Sequence, residues 1–212
     1  MLVVGFLSLV TLSRFLFSRS NQPKPAMGPS KIISFNPRQN LIPKGVRNWS
    51  PDEPAFSLSL KGLWASRQDL GSPVSRLIIS SESRYLKDFK YQAIVGVNVL
   101  KPKGSTLTEA VEQERSAIRQ TEGFQGFLVE KRVKLAQLDG YSLEFLSRDG
   151  REWSEELNHL AGGQGSQIRH HDVFLLKNGY LVDVYGVAYG WAWAEFGQEI
   201  EATINSFKFL ED

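Results

Sequence analysis

From Ala55 onward the chain switches between two hydrophobic periods. In "AFSLSL" (Ala55–Leu60), Phe56, Leu58 and Leu60 alternate with serines, a period of two that predicts a half-buried strand. "LWASRQ" follows after Gly62, and "VSRLIISSE" (Val74–Glu82) and "YQAIVGVNVLK" (Tyr91–Lys101) are further β-rich runs. The last is apolar on both faces, which places it centrally in a sheet. The period then lengthens. In "GSTLTEAVEQERSAIRQTEGF", Leu107, Ala110, Val111, Ala117 and Ile118 form one stripe of a helix. Thr106 and Glu109 have capping-box spacing at its start, and Gly123 is placed to end it. Strands resume at "FLVEKRVKLAQL" and "YSLEFLSRD", with an Asp139-Gly140 turn expected between them. A loop containing Gly162, Gly163 and Gly165 leads to a further hairpin. The chain then closes on a helix, "WAWAEFGQEIEATINSF", whose Phe196, Ile200, Ile204 and Phe207 share a face. Consecutive strands joined by short loops imply an antiparallel sheet, and the two helices would cover it, giving an α+β layered domain.

The hairpin "QIRHHDVFLLKNGYLVDVYG" (Gln167–Gly186) can be read residue by residue. Asn178-Gly179 is a strong hairpin signal, because a type I′ turn needs positive φ at both central positions. With those two as the turn, Lys177 pairs with Tyr180, Leu175 with Val182, Val173 with Val184 and His171 with Gly186. The other face carries Phe174 opposite Asp183, Asp172 opposite Tyr185 and His170 opposite Val187. Neighbouring strand residues point to opposite faces, so His170 and His171 do not bind one metal ion on a regular strand. His171, opposite a glycine on the apolar face, reads as a packed core histidine. His170 and Asp172 share a face beside Tyr185 and are the metal candidates, with His159 as a third ligand if the Gly-rich loop folds back.

Residues 21–54 hold seven of the nine prolines and read as an extended linker, with the folded domain expected over 55–212. Residues 1–20 open with "MLVVGFLSLVTLSRFLF". This run is short for a membrane span of about 20 residues and lacks the basic start of a secretory signal. Its positive charges follow the apolar run, which by the positive-inside tendency favours a cytoplasmic domain, whereas the acid-free, Ser- and Arg-containing continuation has transit-peptide composition. A membrane-targeting or anchoring segment is the expectation, against a buried or amphipathic helix.

Charge sharpens this division. Residues 1–51 carry seven basic and no acidic side chains, while the rest of the chain has 18 basic against 23 acidic. A basic tail on a mildly acidic body argues against a nucleic-acid-binding core. The tail could meet anionic lipid or serve as a solvated linker. The absence of cysteine excludes disulfides, a thiol nucleophile, a lipobox anchor and Cys-ligated metal centres.

Other chemistry is thin. There is no P-loop, dinucleotide Gly fingerprint, HExxH or Gly-x-Ser-x-Gly elbow. The "GGQGS" run (Gly162–Ser166) reads as a flexible loop, and Ser166, His170 and Asp172 do not converge along one strand. Glu155/Glu156 and Glu199/Glu201 read as solvated pairs. No catalytic residue, cofactor or small-molecule substrate is indicated. In "YGWAWAEF", two tryptophans at i, i+2 cannot share a helix face, so one of Trp191 and Trp193 is expected to be exposed or at the helix start. These two and Tyr185 are the partner-contact candidates, against a hydrophobic plug closing the sheet edge.

Five stretches carry a family resemblance: "FSLSLKGLW", "GVNVLKPKGSTLTEAVEQ", "VKLAQLDGYSLEF", "HHDVFLLKNGYLVDVYGVA" and "INSFKF". In this order, over about residues 55–210, the chain resembles the Mog1/PsbP/DcrB-like proteins. The resemblance implies an α/β/α sandwich with a central, mostly antiparallel sheet covered by two main helices. It also implies an accessory or binding role without catalysis, as in lumenal photosystem II extrinsic and assembly factors, bacterial envelope proteins and a small-GTPase-binding branch. The chain reads "KGLW" (Lys61–Trp64) where the family carries P-x-x-W, and it has no lipobox cysteine, so neither subfamily nor anchoring mode follows.

The expected function is thus a non-enzymatic accessory protein, membrane-associated or extracytoplasmic (thylakoid lumen or periplasm). Its partner would be a membrane protein complex or membrane surface rather than nucleic acid. The alternatives are a metal-binding or enzymatic protein using His170 and Asp172, and a small-GTPase-binding regulator.

Overall fold

A computed structural model describes residues 31–44, 46, 48–60, 64–66, 73–82, 91–149 and 166–211. Residues 1–20 and His159 lie outside the described residues, so the targeting segment and the third metal candidate are not placed.

Among the described residues there are ten strands, β1 (Lys31–Phe35), β2 (Phe56–Leu60), β3 (Trp64–Ser66), β4 (Ser75–Glu82), β5 (Tyr91–Leu100), β6 (Gly126–Leu135), β7 (Leu138–Arg148), β8 (Gln167–Lys177), β9 (Tyr180–Tyr189) and β10 (Lys208–Phe209). The longer period forms α1 (Leu107–Gln120) and α2 (Gly190–Asn205). Seven strands make one sheet in the order β3-β4-β5-β9-β8-β7-β6, and β1-β2-β10 make a second; every pairing is antiparallel.

Strand parity assigns the two faces of the large sheet. Val95, Val97, Val173, Leu175, Val182 and Val184 point to the side covered by α2 and the small sheet, packing with Phe35, Phe56, Phe196, Ile200, Ile204 and Phe207. Leu143, Phe174 and Leu181 point the other way and meet Ala110 and Val111 of α1. The result is an α+β sandwich with a helix on each face, as the sequence predicts. The capping box of Thr106 and Glu109 forms, Thr106 Oγ1 accepting from the Glu109 amide at 3.2 Å while the Glu109 carboxylate accepts from the Thr106 amide at 3.1 Å. Ala117 is exposed, however, and the helix's inner stripe runs through half-buried Glu114 instead.

The β8–β9 register is the one read from Asn178-Gly179, with His170 opposite Val187, His171 opposite Gly186 and Asp172 opposite Tyr185. Asn178 and Gly179 have φ of 54° and 75°, as a type I′ turn requires. Gly186 lets α2 approach the sheet until Ile200 lies where a Cβ would be.

Two expectations need correction. The turn between β6 and β7 is made by Ala136 and Gln137, with φ of 50° and 65°, and Asp139 and Gly140 lie inside β7, opposite Lys134 and Val133. Gly140 serves close packing: a Cβ there would stand 2.7 Å from Leu175 Cδ2 of the adjacent strand. The described part of the 21–54 stretch is not a linker either. Lys31–Phe35 pairs with Phe56–Leu60, and Phe35 is fully buried, its ring stacked on Phe56 with centroids 5.3 Å apart. Proline spacing there leaves a five-residue strand free of proline, and that strand gains its partner and its buried ring from residues later in the chain.

Candidate functional site

The central hairpin carries polar side chains on both faces. On the α1 face, the His170 ring stacks on Phe145, its cross-strand partner, with centroids 4.2 Å apart and planes 7° from parallel. Its Nε2 lies 2.8 Å from Ser147 Oγ. Burial pushes the imidazole pKa down to about 4, so the ring is neutral near pH 7.

Asp172 follows on the same face, buried, with Oδ1 lacking a hydrogen-bond partner. Asp183 of β9 is its diagonal neighbour, since Asp172 pairs with Tyr185 and Asp183 with Phe174. Asp183 Oδ2 accepts from Asn98 Nδ2 at 3.0 Å, and Asn98 Oδ1 accepts from Ser75 Oγ at 2.9 Å; Asp183 Oδ1 has no partner. Burial raises the Asp172 carboxyl well above the usual range, with the charges of Asp183 and Glu114 adding to it. Burial likewise raises Asp183 to about 7, the Asn98 hydrogen bond opposing and the Glu114 charge reinforcing the shift. Glu114, on α1, is raised by its own burial. Burial thus favours the proton-bearing form of all three acids. Sequence reasoning placed Asp183 opposite Phe174 but missed the cluster. The signal available was Glu114, which falls at i+7 from Leu107 in the stripe shared with Ala110, Val111 and Ile118.

On the α2 face, His171 is half-buried rather than a closed core residue. Its Nε2 lies 3.0 Å from Ser142 Oγ, and its buried Nδ1 has no partner. Burial lowers its pKa; Glu144 and Glu201 oppose this, and Lys131 and Arg169 add to it. Arg169 donates from Nη2 to Glu144 Oε2 at 2.6 Å and lies 4.6 Å from the centre of the Trp193 ring. Trp191 stacks instead on Tyr189, with centroids 5.9 Å apart, and the Tyr189 hydroxyl donates to Asp149 Oδ2 at 2.8 Å. Both tryptophans are half-buried, so each serves partly as a plug and partly as surface. Tyr185 is not with them: it lies on the α1 face, its ring across Gly96.

The structure thus separates the histidines onto opposite faces, as parity requires, and keeps His170 and Asp172 on one. Each of the two is taken up by the interior. Among the described residues, no three His, Asp or Glu side chains are grouped to hold a metal ion.

No protein-family model and no curated protein matches the chain. Solved structures do. LpqN of Mycobacterium tuberculosis, involved in cell envelope biogenesis, superposes with a TM-score of 0.56 at 9% identity, over 86% of this chain and 92% of that one. The cyanobacterial PsbP (CyanoP) of Synechocystis sp. PCC 6803 gives 0.51 at 12% identity, over 86% and 95%. A protein from Bacteroides thetaiotaomicron gives 0.45 at 12% identity, over 74% of this chain and 46% of that one. At such identities the likeness is one of fold: the chain is built on the same α+β sandwich as cyanobacterial PsbP and LpqN.

Proposed function

We propose that the chain is a non-catalytic accessory protein acting outside the cytoplasm at a membrane. Residues 1–20 target or tether it, and the folded domain docks on a membrane protein complex of photosystem or envelope type. The observation that supports this most is the use made of the hairpin's polar groups. His170 is held by Phe145 and Ser147, and Asp172 is sealed beneath α1, so the residues on which a metal-dependent reading rests are committed to internal contacts. The fold shared with LpqN, itself involved in cell envelope biogenesis, adds support. So does the motif resemblance, which implies accessory roles. Among the described residues no helix is long and apolar enough to cross a membrane.

The docking surface we assign is the start of α2, where Trp191, stacked on Tyr189, and Trp193, with Arg169 over its ring, each leave part of a large ring accessible. Tryptophan and arginine are the side chains that most often dominate interface energies. The test is co-sedimentation of full-length protein with native membranes, before and after their surface proteins are stripped by protease. Retention that falls on stripping, and that falls on the order of 30-fold in Trp191→Ala/Trp193→Ala, is the expected result for a hot spot of about 2 kcal/mol. Equal retention on stripped membranes or protein-free lipid vesicles would replace the protein partner by lipid. A wild-type protein found wholly in the supernatant at low salt would sink the membrane role.

A further inference from the structure

Three carboxyl side chains from three separate elements lie within electrostatic reach of one another between α1 and the sheet. Asp172 and Asp183 are buried on adjacent strands as a diagonal pair, and Glu114, half-buried on α1, is near enough for its charge to act on both. We propose that α1 is a pH-released cover, docked on the sheet while Glu114, Asp172 and Asp183 hold their protons and driven off it when they ionise.

On α1, Arg115 is turned aside to Glu112 and Glu130, and Arg115 and Arg119 both lie over Phe127. From β6, at the sheet edge, the face presents Glu130, Arg132 and Lys134, opposite Leu143, Tyr141 and Asp139 of β7; β7 adds Phe145; from β8 comes His170, which is neutral and engaged with Ser147, and from β9 Tyr185. From β5 and β4 it presents the neutral Asn98 and Ser75. The cations of this face lie at the β6 edge, and the charges acting on the two aspartates are carboxylates. Two carboxylates in such a site cannot both ionise without water reaching them.

The sheet lies beneath the two aspartates and α1 lies over them, so a movement of the helix is the way this pair of layers opens to water. Its apolar grip is small. Only Ala110 and Val111 of α1 are buried, against Leu143, Phe174 and Leu181, whereas α2 buries Ala192, Phe196, Ile200 and Ile204 in the larger core. Ionisation therefore biases the more weakly held of the two described helices. Lifting α1 bares Leu143, Phe174 and Leu181, an apolar patch that is closed in the protonated state.

The chain has no cysteine, so paired nitroxide labels can be placed at exposed Gln113 on α1 and exposed Lys208 on β10 by cysteine substitution in the full-length protein. The expected result is one sharp inter-label distance at about pH 5, and a broadened, longer distribution at about pH 8.5 as the acids deprotonate. Asp172→Asn/Asp183→Asn retains the sharp distance at both pH values. If circular dichroism shows that this variant does not fold, Glu114→Gln decides, and it is expected to move the midpoint of the change to higher pH by roughly half a unit or more. A wild-type distance that does not change with pH overturns the proposal. So does a broadening with the same midpoint in the variants.

Discussion

Arg76 closes on Glu53 through two parallel hydrogen bonds, Nη2 donating to Oε1 at 2.7 Å and Nε to Oε2, with both side chains buried. The pair is further tied in by the Ser50 amide, which donates to Glu53 Oε1 at 3.0 Å, and by Arg76 Nη1, which donates to the Pro73 carbonyl at 2.6 Å. It fastens the proline-rich stretch before β2 to the large sheet.

Removing one partner of a buried, bidentate pair leaves the other charge uncompensated. Glu53→Ala is expected to destabilise the domain by about 3–5 kcal/mol, and Glu53→Leu/Arg76→Met by distinctly less. Urea unfolding of both variants decides it. Equal losses in the two would mean that packing, and not charge, fixes this segment.

The pH dependence of stability should show two opposing contributions. Asp183 titrates near 3.9 in an unfolded chain and at about 7 in the fold, so its contribution is fully present below about 3.9 and is lost as pH rises through about 7. His170 titrates near 6.5 unfolded and at about 4 folded, so its contribution is fully present above about 6.5 and is lost as pH falls through about 4. Each slope is at most about 1.4 kcal/mol per pH unit, and in the wild type they partly cancel. Asp183→Asn should tilt the stability profile upward between about pH 4 and 6.5, and His170→Phe should tilt it downward. Urea midpoints at half-unit steps of pH test this; three superimposable profiles would refute it.

The β6–β7 turn holds two side-chain-bearing residues at positive φ, Ala136 and Gln137. Left-handed backbone costs an L-residue roughly 1–2 kcal/mol. Ala136→Asn/Gln137→Gly, which installs the favoured type I′ pair, should raise stability by about 1–2 kcal/mol. Gly140→Ala should lower it, because its Cβ would meet Leu175 and the Phe174 carbonyl. Thermal melts that show neither change would place the turn elsewhere.

At the other face, a Cβ on Gly186 would overlap Ile200 and stand 3.4 Å from Ile204 Cδ1. Gly186→Ala should cost about 1–3 kcal/mol by overpacking, and Ile200→Ala about 2–5 kcal/mol by leaving a cavity. The double variant should cost less than the sum by about 0.5–3 kcal/mol, because one change makes room for the other. Strict additivity would show that α2 does not rest on this glycine.

Several features were legible in the sequence because their causes are local. Asn178-Gly179 specifies its own turn, and the register of β8 on β9 follows by counting. The Thr106 and Glu109 cap and the face of Phe196, Ile200 and Ile204 on α2 are likewise matters of spacing within one element. Asp139-Gly140 misled because a glycine after aspartate has two uses. Here the glycine answers to Leu175 on the neighbouring strand, which spacing within β6 and β7 does not reveal.

What the sequence by itself determined is parity and period: His170 and His171 on opposite faces, strands before and after α1, a helix at the end. Only the tertiary structure decided what those faces meet. Phe35 is a core residue because Phe56 stacks on it, and Asp172 favours its protonated form because it is buried, with the charges of Asp183 on β9 and Glu114 on α1 adding to this. The direction of a side chain is set within its own strand. Its burial and charge state depend on groups distant in the chain, through desolvation and short-range electrostatics that exist only once those groups are brought together.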